Sequence, residues 1–184
     1  MHEELVFAGF GGQGVLFGGQ LLAYTALAEG KHVTWIPSYG PEMRGGTANC
    51  TVVVSDEPIG SPVCRNPSIA VVFNNPSLEK YEPMMMPGGL LIVNSSLTVH
   101  PTTREDIEIV RIPATTVASE LGEVCVTNMI LFGALLACRP LVNVETTQHV
   151  LREKLGERKV HLHEVNMLAL QRGAELVLAE KAGA

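Results

Sequence analysis

Gly9-Phe10-Gly11-Gly12-Gln13-Gly14 follows the short apolar run Leu5-Val6-Phe7-Ala8 and precedes a long uncharged stretch. Leu5 to Ala8 reads as a buried strand. From Gln13 to Glu29 there is no proline and one charged residue, Glu29 itself, so a helix is expected there. Strand, glycine turn and helix in that order make the opening of a Rossmann-like unit. Gly9 is expected to permit the tight turn, Gly11 a close approach of backbone or ligand, and Gly14 the packing of helix on strand without an intervening Cβ. The unpaired N–H groups at the start of such a helix favour an anion. The same glycines can equally serve only to close a strand–helix turn.

A dinucleotide is the first ligand to test, and the next strand counts against it. NAD-binding units place Asp or Glu about 20 residues past the glycines, at the tip of the second strand. Here that strand is His32-Val33-Thr34-Trp35-Ile36 and it ends in Pro37-Ser38-Tyr39, with neither a carboxylate nor an arginine at its tip.

At 184 residues, with 46% apolar composition, the chain has the length and content of one α/β domain spanning residues 1–184. The net charge of −6 and the lack of a basic stripe argue against nucleic acid as a partner. His2, Glu3 and Glu4 stand where a secretory signal needs basic residues and an apolar core. The uncharged run Val124 to Cys138 is too short to cross a bilayer and contains Thr127 and Asn128, so it is expected as a buried core helix. A cytoplasmic protein without membrane contact is expected. Cys50, Cys64, Cys125 and Cys138 are dispersed without C-x-x-C spacing, which predicts structural thiols and no metal centre.

Along the chain, Thr47 to Val54 is a third strand rich in Thr and Val. The loop before it, Pro37 to Gly46, is too short for a crossover helix, so the third strand is expected antiparallel to the second. Ile69 to Phe73 and Leu90 to Val93 are continuous apolar runs between turn signals, as in strands covered on both faces. Ser77 is expected to open a helix ending near Met86, and Ile107 to Ile112 adds a last strand. The remainder is expected to be helical: from Pro113, Val124 to Cys138, Val144 to Leu155, and His161 to Ala179. The fold class is thus α/β, a single Rossmann-like open sheet, mostly parallel with one antiparallel strand, and a helical C-terminal part. Val15, Leu16, Phe17, Leu21, Leu22 and Leu27 make the first helix apolar on more than one face. That predicts burial against another chain, or a homodimer in isolation, unless the chain's own sheet covers it.

Ser38-Tyr39-Gly40-Pro41-Glu42-Met43-Arg44-Gly45-Gly46 is the more distinctive motif. It lies past the carboxyl end of the second strand, where open α/β sheets place their binding crevice. Tyr39, Glu42 and Arg44 bring a phenol, a carboxylate and a guanidinium within six residues. Arg44 can clamp a phosphate or carboxylate through its planar fork. The alternative is a solvated Glu42–Arg44 pair, or anchors for another subunit. The cleft or interface candidates are therefore Gly9, Gly11, Gly12, Gln13, Gly14, Tyr39, Glu42 and Arg44.

The segment Gly-Phe-Gly-Gly-Gln-Gly at 9–14, followed by Ser-Tyr-Gly-Pro-Glu-Met-Arg-Gly-Gly-Thr-Ala-Asn-Cys at 38–50, closely resembles the gamma subunit of 2-oxoacid:ferredoxin oxidoreductases. Ser55-Asp56-Glu57-Pro58-Ile59-Gly60-Ser61-Pro62 and Asn128-Met129 ahead of Leu131-Phe132-Gly133-Ala134-Leu135 extend the resemblance over most of the chain.

The resemblance implies a multi-subunit enzyme that oxidatively decarboxylates a 2-oxoacid with coenzyme A and reduces ferredoxin, or runs in reverse. It implies thiamine diphosphate and Mg²⁺ between alpha and beta subunits, and iron–sulfur clusters elsewhere in the assembly, a delta or ferredoxin-like subunit included. The form of the second motif resembles 2-oxoglutarate members, with 2-oxoisovalerate next and indolepyruvate a further homologous class. No cofactor is expected on this chain alone. His32, His100, His149, His161 and His163 show no persuasive partner in the sequence, and no catalytic residue is assigned. A free-standing nucleotide- or flavin-binding protein is the competing class.

Overall fold

The computed structural model describes residues 1–39, 46–156 and 161–183. Its centre is a six-stranded sheet built from β1 (His2–Phe10), β2 (His32–Tyr39), β3 (Thr47–Ser55), β4 (Ile69–Val72), β5 (Leu90–Asn94) and β6 (Glu108–Ile112), in the order β2-β3-β1-β4-β5-β6. β1, β4, β5 and β6 pair in parallel, while β3 runs antiparallel to both of its neighbours. The antiparallel third strand expected from the short loop is present. Its place in the order departs from a Rossmann sheet, because β3 lies between β1 and β2. Burial explains the insertion: Cys50, Val52 and Val54 are fully enclosed, whereas β2 is half-exposed along its length. The more apolar strand takes the interior position.

Side chains of the sheet alternate between two apolar layers. Leu5, Phe7, Cys50, Val52, Val71 and Ile92 share one face with the helices α1 (Val15–Ala28) and α4 (Thr127–Cys138). Val6, Ala8, Ala70, Val72, Leu91 and Val93 pack on the other face with Leu78, Tyr81 and Met85. The helices α2 (Asn75–Tyr81), α3 (Ala114–Glu120), α5 (Val144–Leu155) and α6 (His161–Gly183) complete the described architecture.

Several boundaries differ from expectation for local reasons. β2 runs on through Pro37 to Tyr39, which an edge strand tolerates because proline's missing donor need not interrupt an interior ladder. α2 starts at Asn75 rather than Ser77, because the Asn74 side chain caps it by accepting from the Ser77 N–H at 3.0 Å. A short 3-10 turn, Val124–Val126, precedes α4, and α6 continues to Gly183. No helix among the described residues is long and apolar enough to cross a membrane.

The apolarity of α1 has a largely internal cause. Val15, Leu21 and Leu22 are buried in the chain's own core, while Tyr24 and Leu27 remain exposed. Beneath this helix Cys50 is fully buried, its Sγ 3.8 Å from the Val15 carbonyl oxygen and beside the Trp35 indole. Burial pushes the Cys50 thiol from an ordinary 9.0 up to about 12. The stability this confers is complete below the unfolded value and is lost as pH rises from 9.0 toward 12, because only the unfolded chain ionises there. Urea midpoints measured at about pH 8 and about pH 10 are expected to fall more steeply for the wild type than for Cys50→Ala.

Candidate functional site

The antiparallel return of β3 brings two distant segments of sequence to one end of the sheet. Phe10 pairs with Thr47 and Tyr39 with Ala48, so the glycine turn and both ends of the Tyr39–Gly46 segment meet at the same edge. The Gly11 N–H donates to the Gly46 carbonyl oxygen at 2.9 Å, locking the two together. Between them lies a crevice of about 470 Å³, walled by Gly11, Gly12, Gly14, Leu16, Phe17 and Tyr39 among others. Tyr39 is 68% exposed at its rim. Glu42 and Arg44 lie outside the described residues.

The turn itself is built differently from the sequence expectation. Positive φ angles occur at Gly12 (98°) and Gly14 (74°), so these two, rather than Gly9, make the tight turn. Gly9 is a packing residue: a Cβ there would lie 2.8 Å from both Phe73 Cβ and Val15 Cγ2. Gln13 turns back into the loop, where its Oε1 accepts from the Phe10 N–H at 2.7 Å and from Asn74 Nδ2 at 3.4 Å. Neither Gly9 nor Gln13 walls the crevice. Gly11, Gly12, Gly14 and Tyr39 do.

α1 begins at this crevice without a side-chain cap and without an acidic residue in its first turn. Its first N–H groups therefore keep their capacity to donate, and the helix dipole favours a negative group in front of them. An apolar wall from Val15, Leu16 and Phe17 beside these donors suits a ligand or partner segment that is anionic at one end and apolar along its side.

Asn128, near the start of α4, supports the turn from behind. Its Nδ2 donates to the Gly14 carbonyl oxygen at 3.2 Å, a contact between residues 114 positions apart. The same carbonyl receives the first helical bond of α1, from the Gly18 N–H at 3.0 Å. A Cβ on Gly14 would lie 2.6 Å from that Nδ2, so the glycine and the asparagine are matched. Asn128 is 5% exposed, and its Oδ1 is buried with no hydrogen-bond partner among the described residues. A buried acceptor left in that condition costs about 1–3 kcal/mol. The signal in the sequence was an amide, beside Thr127, near the start of the mostly apolar run Val124 to Cys138.

The histidines are less isolated than the sequence suggested. His100 Nδ1 lies 2.6 Å from Glu79 Oε1, and His149 Nε2 lies 3.4 Å from Glu153 Oε1 one helical turn away. Both are exposed pairs worth about 0–1 kcal/mol, and neither reaches the crevice. Among the described residues no group of three His, Cys, Asp or Glu side chains could hold a metal ion.

A family model described as pyruvate ferredoxin/flavodoxin oxidoreductase matches residues 4–176. The ketoisovalerate oxidoreductase subunit VorA of Methanothermobacter marburgensis is 36% identical over 91% of this chain, and the chain spans 35% of that protein's length. The 2-oxoglutarate synthase subunit KorC of the same organism is 34% identical, covering 97% of this chain and 98% of its own. The crystal structure of a keto/oxoacid ferredoxin oxidoreductase gamma subunit from Geobacter sulfurreducens superposes with a TM-score of 0.81 at 28% identity, covering 96% of this chain and 99% of that one.

Proposed function

This chain belongs to the pyruvate ferredoxin/flavodoxin oxidoreductase family, and on that premise we propose that it is the gamma subunit of a cytoplasmic 2-oxoacid:ferredoxin oxidoreductase. Residues 1–184 act as one gamma-type domain beside alpha and beta subunits, with a delta or ferredoxin-like subunit completing the electron path. The observation that carries this reading is the joining of the glycine turn to the Tyr39–Gly46 segment around one crevice. The assembly converts a 2-oxoacid and coenzyme A to the acyl thioester and carbon dioxide and passes two electrons to ferredoxin. 2-Oxoglutarate is the proposed oxoacid, since the KorC relative aligns across 97% of this chain and the VorA relative across 91%. 2-Oxoisovalerate is the next choice.

In this assembly the crevice orders coenzyme A or seats a neighbouring subunit. The uncapped start of α1 suits a phosphate group, and Tyr39, Glu42 and Arg44 are proposed to face the same cleft. The chain's own described residues do not fit an iron–sulfur cluster, because they gather no set of thiolates. Thiamine diphosphate, Mg²⁺ and the clusters are therefore assigned to the other subunits.

Co-expression with its alpha and beta partners tests the reading. The full complex is expected to show coenzyme A-dependent ferredoxin reduction, with a higher kcat/KM for 2-oxoglutarate than for 2-oxoisovalerate. The chain alone is expected to be inactive and homodimeric by light scattering. An alpha–beta core that keeps full activity without this chain, or a chain that never co-elutes with that core, would overturn the assignment.

A further inference from the structure

The buried amide of Asn128 is larger in consequence than its size suggests. It reaches across 114 positions of sequence to hold the carbonyl on which α1 begins, and that helix start walls the crevice. It does so while carrying an acceptor that nothing among the described residues satisfies. Which end of the amide faces Gly14 is settled by chemistry, since a carbonyl oxygen accepts only from the NH₂ group. An apolar side chain of similar shape at this position would give up one hydrogen bond and remove the unsatisfied acceptor. The Gly14 carbonyl would still accept from the Gly18 N–H, so stability alone gives little reason for an amide here. Its neighbours in α4, Met129, Ile130, Leu131 and Phe132, are all fully buried and apolar. A polar exception retained at a cost in stability, next to a crevice, points to function.

We infer that Asn128 is a positioning residue: it fixes the direction of the Gly14 carbonyl, and through it the first N–H groups of α1, against the anionic part of coenzyme A. The inference rests on the reading that this crevice serves coenzyme A. Without the amide, the Gly14 carbonyl keeps only its helical bond from Gly18 and loses its lateral donor, so the glycine turn, with positive φ on both sides of Gln13, is held less tightly in direction. The donors of α1 then meet the ligand in a spread of orientations. This weakens binding and leaves the chemical step, carried out by other subunits, at its normal rate.

The test is Asn128→Leu in the reconstituted complex, measured beside Arg44→Ala. Asn128→Leu is expected to keep or raise the thermal midpoint, to raise the coenzyme A KM roughly three- to tenfold, and to leave kcat and the oxoacid KM unchanged, since one neutral hydrogen bond is at stake. A lowered midpoint with an unchanged coenzyme A KM would mean a structural amide only and would overturn the proposal. Asn128→Asp keeps the shape should the leucine variant fail to fold. Its KM penalty relative to wild type is expected to shrink as pH falls, when a protonated carboxyl can again donate to Gly14. A penalty independent of pH would count against the donor role. If Arg44→Ala raises KM and Asn128→Leu does not, this inference fails alone. If neither moves KM in an intact complex, the coenzyme A reading of the crevice fails with it.

Discussion

Gly133→Ala is expected to be among the most destabilising single methyl additions in this chain, with Gly173→Ala close to it. α4 and α6 pack with their backbones in contact at these two glycines. A Cβ on Gly133 would overlap the Leu170 carbonyl oxygen, and one on Gly173 would overlap the Ile130 carbonyl oxygen. In each case the obstacle is backbone inside a regular helix, which cannot swing away as a side chain can. Relief requires the helices to separate, and that opens voids around Phe132, Ala134 and Ala169, all fully buried. Overpacking commonly costs about 1–3 kcal/mol, and a rigid collision at the most buried helix belongs at or above the top of that range. For a domain of this size, about 3 kcal/mol lowers Tm by roughly 6–12 °C. Differential scanning calorimetry of the two variants checks it. Midpoints within a degree of wild type would mean that the helices can separate without penalty.

Arg44→Ala has the largest expected effect on function. Arg44 is the only cation between Tyr39 and Gly46, and both of those residues wall the crevice. Loss of a direct charge-assisted contact to a coenzyme A phosphate costs roughly 1.5–3 kcal/mol, near ten- to a hundredfold in KM. An arginine that instead anchors a subunit gives a different result: the variant assembles poorly, and the complex that does form keeps its coenzyme A KM. Steady-state kinetics with gel filtration of the same preparation separates the two. Normal assembly with unaltered KM and kcat would remove both roles from Arg44.

Much of the fold was legible because its signals are local. Ile69 to Phe73 and Leu90 to Val93 read as buried strands from unbroken apolar composition, and both runs are fully enclosed. The antiparallel direction of β3 followed from a loop too short for a crossover. α5, Val144–Leu155, lies where its pattern placed it. The site was half legible. Gly11, Gly12, Gly14 and Tyr39 were named from motif and spacing and meet at the crevice, while Gly9 and Gln13, from the same motif, serve the packing and the turn instead. The spacing of a glycine run indicates a turn but does not say which glycine takes the positive φ, because that depends on what each residue packs against.

The sequence by itself determined the strands, the helices, the sense of β3 and the closeness of a glycine turn to a strand–loop motif. All of these rest on periodicity, turn chemistry and loop length, which act over a few residues. Only the tertiary structure decided that β3 enters between β1 and β2, that Asn128 holds Gly14, and that Gly133 and Gly173 let α4 and α6 touch. Those features depend on which buried surfaces meet across the folded chain. A single side chain carries no mark of its distant neighbour until close packing leaves room for one arrangement.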